Sequence, residues 1–325
     1  MRRERLTAED IRGVYALVPA CATSEATSWR ATDTVDTDAL AQLIDRLIRD
    51  GVHGILLTGS VGESHTLLWE EHQKLVQTAV EVVNRRVPLF VGTTSLNTRE
   101  TIRKTRYVVE VGADGVMNGT PMYLPLAPAD IVQYYQDLAE AVPQAAIMIY
   151  HNPHAFRVTI TPALWRELAK IPNVIAAKQG STDLFNLIPS VHATRGRISI
   201  LVLDHLMYPC MIFGAQGGWS SDVCLGPWPS LRLYEECRKG NWAAAAEIAA
   251  GMQRGFASMG LTMEEFQQYQ TYWFKLAVDL AGYGKAGPVR PPFVHVPRHI
   301  DEATRRYVEN WLSLVEKYRP QVTSS

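Results

Sequence analysis

The sequence predicts an α/β protein, a closed (β/α)8 TIM barrel followed by a C-terminal helical extension in the same domain. Three observations predict it. Short apolar runs alternate with helix-length segments eight times within about 230 residues, near the ~250 typical of such a barrel. Runs such as Val174 to Ala177 are continuously apolar, as expected of strands buried on both faces of a parallel sheet. Polar residue types able to do chemistry collect just after the runs, at the face where a barrel of this kind places its active site.

In chain order, the first strand runs from Gly13 to Pro19, and an amphipathic helix covers Thr37 to Asp50. Gly54 to Thr58 is the second strand. It leads through Gly59-Ser60-Val61-Gly62-Glu63 to a helix starting near Leu68, whose Glu70 and Glu71 suit the positive end of the helix dipole. Val87 to Gly92 is the third strand, and Asn97-Thr98-Arg99-Glu100 opens the helix that stops at Gly112. The fourth is Gly115 to Asn118, with Pro121-Met122-Tyr123 in its loop and a helix over about Ala129 to Ala141. Ala146 to Tyr150 is the fifth, followed by His151-Asn152-Pro153 and a helix whose Thr161 N-cap precedes a proline at the first position. The sixth strand carries Lys178. Ile198 to Leu203 ends in Asp204-His205, and Gly217 to Ser221 ends in Asp222. Helical segments over Ala243 to Met252, Met263 to Leu280 and Asp301 to Tyr318 form the tail. The division expected is therefore a barrel over residues 1–240 and an extension over 241–325, joined as one domain because no Gly/Ser-rich linker parts them. An open doubly wound sheet is the rival, but no Gly-x-Gly-x-x-Gly follows the first strand and no Walker-type loop is present.

Charge is balanced, with 32 Lys and Arg against 33 Asp and Glu, so nothing points to nucleic acid or an acidic surface. No apolar run reaches the ~18 residues needed to cross a bilayer, which argues against a membrane partner. The charged opening Met1-Arg2-Arg3-Glu4-Arg5 lacks the apolar core of a signal peptide. Cys21, Cys210, Cys224 and Cys237 show neither CxxC spacing nor a matching histidine cluster, against both a zinc site and a disulfide framework. A reduced, cytoplasmic protein without metal is expected.

Lys178 is the oddity of the sixth strand. Burial at a strand end disfavours the ammonium, lowers the pKa and frees an amine that can attack a ketone to form a Schiff base. The bland reading is a lysine that snorkels to the surface or pairs with a carboxylate. An iminium at Lys178 is an electron sink for cleaving a bond two carbons away. It also makes the far carbon of a conjugated alkene electrophilic toward water. Tyr150, one strand away, is the candidate proton shuttle, since a phenol near an ammonium ionises more easily; the alternative is a tyrosine bonded to a carbonyl. Asn152 either holds the attacking water or caps the turn beside Pro153, and both roles stay open. His151 and His205 read as structural hydrogen bonders. Asp204-His205 has no Gly-x-Ser-x-Gly partner for a hydrolase triad.

Gly59-Ser60-Val61-Gly62-Glu63-Ser64 after the second strand, Tyr150-x-Asn152-Pro153 after the fifth and Ala177-Lys178 in the sixth resemble the dihydrodipicolinate synthase / N-acetylneuraminate lyase family of Schiff-base aldolases. The likeness extends from Leu6 to about Tyr318. It implies a homotetramer of barrels that needs no cofactor and takes a small-molecule 2-oxo acid. Lys178 would condense with that acid, Tyr150 would shuttle protons, and the loop carrying Ser60 and Val61 would hold the carboxylate. Arg5 to Ile11, Trp29 to Thr32, Thr34 to Asp36, Leu96 to Glu100 and Lys285 to Pro292 look, more narrowly, like the hydratase-aldolases of polycyclic aromatic catabolism. Those enzymes hydrate a substituted benzylidenepyruvate and split it into pyruvate and an aromatic aldehyde.

Val61 stands where the synthases have a proton-relaying threonine, which argues against the synthase reaction. By the same resemblance Tyr123, Gln179 and Gln270 fall at the aromatic end of the pocket. Trp219, Phe156 and Met122 offer an apolar wall for an aryl ring, and Ser220 ends the eighth strand at the same face. Glu63 is expected to cap the following helix or pair across a subunit contact, and Arg290 to fix the tail. The rival functions are another pyruvate-dependent lyase or synthase and a non-catalytic barrel that binds an oxo acid.

Overall fold

The computed structural model describes residues 4–320, so residues 1–3 and 321–325, the outer ends of the two expected spans, lie outside the described residues. The strands are β1 (Gly13–Leu17), β2 (Gly54–Leu57), β3 (Leu89–Gly92), β4 (Gly115–Asn118), β5 (Ala146–His151), β6 (Val174–Gln179), β7 (Ser199–Leu203) and β8 (Gly217–Ser220). They close a parallel barrel in sequence order, with β8 paired back onto β1 so that Tyr15 faces Trp219 across the seam. Almost every strand residue is buried, because side chains of one parity fill the barrel and those of the other pack under the helices. β3 starts later than the apolar run because Pro88 has no N–H to donate to the ladder; only its carbonyl serves, accepting from Ile55 N.

The helices are α1 (Thr37–Arg49), α2 (Trp69–Val83), α3 (Thr98–Val111), α4 (Pro128–Ala141), α5 (Pro153–Phe156), α6 (Pro162–Leu168), α7 (Leu184–Thr194), α8 (Met207–Met211) and α9 (Trp228–Lys239). After the barrel come α10 (Trp242–Ser258), α11 (Met263–Gln268), α12 (Gln270–Ala281) and α13 (Arg298–Tyr318). Sequence patterning leaves α7 and α9 unmarked for physical reasons. α7 has Pro189 in its interior, and α9 buries Trp228, Ser230, Leu233, Glu236 and Cys237, too mixed a set for a clean amphipathic stripe. The single helix expected over Met263 to Leu280 is two, broken at Tyr269. The Phe266 carbonyl, which an unbroken helix would give to the Gln270 N–H, accepts instead from the Trp273 indole at 3.1 Å.

The tail is tied to the barrel end that follows the strands. Trp311 Nε1 donates to Gly226 O at 3.2 Å, and Lys275 and Arg290 reach the loop after β2. Among the described residues, no helix is long and apolar enough to cross a membrane.

Candidate active site

Tyr150 and Lys178 are register partners on β5 and β6, so their side chains enter the barrel together at its carboxyl end. Lys178 is 1% exposed. Its Nζ lies 4.0 Å from the centre of the Tyr150 ring and 3.3 Å from that of Trp219, which reaches over from β8. The Trp219 indole N–H donates to Gln179 O at 2.9 Å and so fixes the ring plane. Burial holds Lys178 below the ordinary lysine pKa, while the neighbouring Tyr150 opposes the shift.

Burial pushes the Tyr150 phenol up, but Lys178 and hydrogen bonds with Ser60, Asn152 and Lys178 pull it down further. The net result is below an ordinary phenol. Tyr150 Oη lies 3.0 Å from Ser60 Oγ and 3.5 Å from Asn152 Nδ2. The two roles left open for Asn152 coexist in geometry. Its Oδ1 caps α5 by accepting from His154 N and Ala155 N, while its amide nitrogen faces the phenol. Phe156, the last residue of α5, packs edge-on against Tyr150 with centroids 5.0 Å apart. It lies on Gly119, where a Cβ would come within 2.1 Å of the ring, so α5 closes down only because that position has no side chain.

Ser60 sits in a tight loop. Thr58 and Glu63 both take left-handed backbone conformations, with φ of 55° and 52°, an uncommon state for residues other than glycine. Between them Gly62 folds back on Thr58, where a Cβ would meet the Thr58 backbone at 2.9 Å. Val61 is buried. A cavity of about 690 Å³ opens beside these groups, lined by Ser60, Tyr150, Met122, Phe156, Gln270 and Phe293 among others.

Three residues expected at the site lie elsewhere. Gln179 follows Lys178 on a strand and therefore points to the opposite face. Its Oε1 accepts from His151 Nδ1 at 2.5 Å and from Ser181 N, while His151 Nε2 accepts from Ile160 N. Ser220 is turned away by the same alternation, since Trp219 takes the inward position; the Ser220 hydroxyl accepts from Asp222 N. Tyr123 is 76% exposed in a loop held through its backbone carbonyl by Arg157, and Met122 lines the cavity in its place. Glu63 neither caps the next helix nor waits at a surface. It is buried in an ion-paired network with Lys275 and Arg290. This network is invisible to local pattern, and its one signal is Lys275 lying within the apolar stretch of α12. Asp204 is engaged by Ser230 Oγ and His205 N on the outer side of β7, on the opposite face of the sheet from Lys178.

The sequence profile of the Dihydrodipicolinate synthetase family matches residues 20–311. The chain is 38% identical to trans-O-hydroxybenzylidenepyruvate hydratase-aldolase of Pseudomonas aeruginosa, over 98% of this chain and 97% of that protein. It is 30% identical to trans-2'-carboxybenzalpyruvate hydratase-aldolase of Nocardioides sp. (strain KP7), over 98% of both. The solved structure of PhdJ bound to substrate intermediate superposes with a TM-score of 0.94 at 34% identity, covering 97% of this chain and all of that one. YagE of E. coli K12 in complex with pyruvate superposes at 0.79 and 26% identity, over 94% of this chain and 98% of that one. By profile, by near full-length identity and by fold, this chain belongs to the dihydrodipicolinate synthetase family.

Proposed function

We propose that the protein is a class I hydratase-aldolase, a lyase that hydrates and cleaves a substituted benzylidenepyruvate to pyruvate and an aromatic aldehyde in aromatic hydrocarbon degradation. One observation carries the reading: a fully buried lysine amine held below its ordinary pKa, beside a tyrosine whose phenol is also lowered. The names of the relatives match this chemistry.

In the proposed sequence the Lys178 amine adds to the 2-oxo carbon, water leaves, and an iminium conjugated with the alkene forms. Water then adds at the benzylic carbon, with a proton delivered to the carbon between. Tyr150, as phenolate, takes the proton of the new hydroxyl while the adjacent carbon–carbon bond breaks and its electrons enter the iminium. The aldehyde leaves. Protonation of the enamine and hydrolysis release pyruvate and restore the amine. Asn152 Nδ2 orients the water or the hydroxyl, and Ser60 with the loop N–H groups holds the carboxylate. Trp219, Phe156 and Met122 face the aryl ring, and Gln270 its substituent. No step calls for a metal or organic cofactor.

We also propose that the protein is a cytoplasmic homotetramer in which residues 1–240 and 241–325 form one domain. Besides Trp29, Met263 and Phe293, the protomer exposes apolar side chains in two other parts of the chain. Leu68, Leu96, Tyr123 and Leu124 follow β2 to β4, while Phe185, Ile212 and Phe213 lie at α7 and just past α8. Apolar surface of this kind suits the interfaces of a dihedral assembly.

The test is a product assay on hydroxy- and carboxy-substituted benzylidenepyruvates with the wild type and Lys178→Ala. Pyruvate release by the wild type alone supports the reading. Turnover that survives in Lys178→Ala excludes it.

A further inference from the structure

Behind the loop that carries Ser60 lies a buried network whose cations come from the far end of the chain. Glu63 Oε2 accepts from Lys275 Nζ at 2.7 Å and from Arg290 Nη1 at 2.5 Å, and its Oε1 accepts from Arg290 N at 3.0 Å. Both cations are anchored elsewhere. Lys275 Nζ donates to Ala20 O and Pro288 O, and Arg290 to Ala20 O, Thr34 O and Thr34 Oγ1. Thr34 Oγ1 in turn donates to Glu71, whose other oxygen accepts from Leu68 N at the start of α2. All four charged residues are at most 4% exposed, and the two carboxylates balance the two cations. A cluster buried this deeply holds one geometry, because each donor that lost its acceptor would stand desolvated and unpaired.

The network meets the loop at its least relaxed point. Glu63 holds a left-handed φ of 52°, three residues past Ser60, and Thr58 at the other end of the loop has a φ of 55°. Non-glycine residues stay in that region only when their surroundings over-determine them. The three hydrogen bonds to the Glu63 carboxylate supply that determination at one end. At the other, Thr58 Oγ1 donates to Gly92 O at 2.9 Å.

We infer that Lys275 and Arg290 are positioning residues for recognition of the substrate carboxylate, acting through Glu63 on the loop from Gly59 to Gly62. The inference rests on the reading in which that loop binds the carboxylate of the 2-oxo acid. It makes the C-terminal extension part of the substrate-binding apparatus. A loop displaced by on the order of 1 Å loses up to about a hundredfold in the steps that depend on it.

The test compares pyruvate with its neutral analogue methyl pyruvate, using borohydride trapping on Lys178 read by mass spectrometry. The enzymes are the wild type, Lys275→Met and the double variant Glu63→Gln/Lys275→Met. The double variant removes one buried charge of each sign and covers the case in which the single one does not fold. The wild type is expected to half-saturate at much lower pyruvate than ester. In the folded variants the pyruvate value rises about tenfold or more and the ester value stays, so the preference collapses. General structural damage would raise both values together, and that result, or an unchanged preference, overturns the inference. A wild type that traps both equally overturns carboxylate binding by the loop. A wild type that traps neither overturns the Schiff-base reading itself.

Discussion

Lys178 Nζ stands 3.3 Å from the centre of the Trp219 ring, nearer than its 4.0 Å to the ring of Tyr150. The indole face does two opposed things. It attracts the ammonium, and it excludes the water that would solvate that ammonium. Burial is the largest influence on Lys178 and holds its pKa down. Trp219→Ala should therefore rehydrate the amine, raise its pKa and reduce the free-amine fraction at neutral pH. Trapping of pyruvate at pH 7 is expected to slow about tenfold, and its pH profile to move to higher pH. An unmoved profile would show that the ring does not control the amine.

The hydrogen bond between Ser60 and Tyr150, donated by the serine when the phenol is ionised, helps hold that phenol below its ordinary pKa. Removing it in Ser60→Ala raises the Tyr150 pKa. The pH-rate curve for cleavage, which rises as the phenolate forms, should then rise at higher pH than in the wild type. Tyr150→Phe is expected to lose about 10²- to 10⁴-fold in cleavage while pyruvate still condenses with Lys178. A Phe variant that cleaves normally would remove Tyr150 from the proton path.

The two ends of the Asn152 amide can be separated by mutation. Asn152→Asp keeps an oxygen for His154 N and Ala155 N but loses the N–H that faces Tyr150. It should melt close to the wild type and turn over at least about tenfold more slowly, because the lost hydrogen bond to a charged group is joined by repulsion between the new carboxylate and the Tyr150 phenolate. Asn152→Ala loses both, adding about 1 kcal/mol of lost cap stability. Calorimetry beside steady-state kinetics distinguishes the two. Equal activity of the Asp variant and the wild type would reduce Asn152 to a helix cap.

Burial, reinforced by neighbouring Asp204 and weakly opposed by Tyr307, holds the Asp222 carboxyl well above the usual aspartate range. A carboxyl whose folded pKa is raised favours the folded state at low pH, and this stability is lost as pH rises toward the folded pKa. Asp222→Asn carries no such penalty. Thermal denaturation should show the variant melting above the wild type at neutral pH, with the gap narrowing as pH falls toward the ordinary value of 3.8. A gap that is constant with pH would mean that Asp222 does not titrate differently in the two states.

The barrel is legible because its strands are short apolar runs that end in polar residues, and Lys178 announces itself as a charge closing such a run. Tyr150 follows from position, since sequential strands of a barrel are neighbours. Kinship points Gln179 to the pocket, and its place at a strand end points Ser220 there. Strand alternation alone turns each away once Lys178 and Trp219 face inward. Tyr123 lies in a loop whose course depends on contacts such as that from Arg157, which no local period encodes. The partners of Glu63 are out of reach for another reason. Lys275 and Arg290 lie 212 and 227 positions away, and only the closed barrel with its docked tail brings them together.

All of the proposed chemistry depends on a covalent bond between the Lys178 amine and a 2-oxo acid. Borohydride reduction in the presence of pyruvate, followed by peptide mass mapping, reads that bond out. One reduced pyruvate adduct per chain is expected on the peptide containing Lys178, with none in the absence of pyruvate and none in Lys178→Ala. An unmodified Lys178, or an adduct on a different lysine, would rule the Schiff base at Lys178 out.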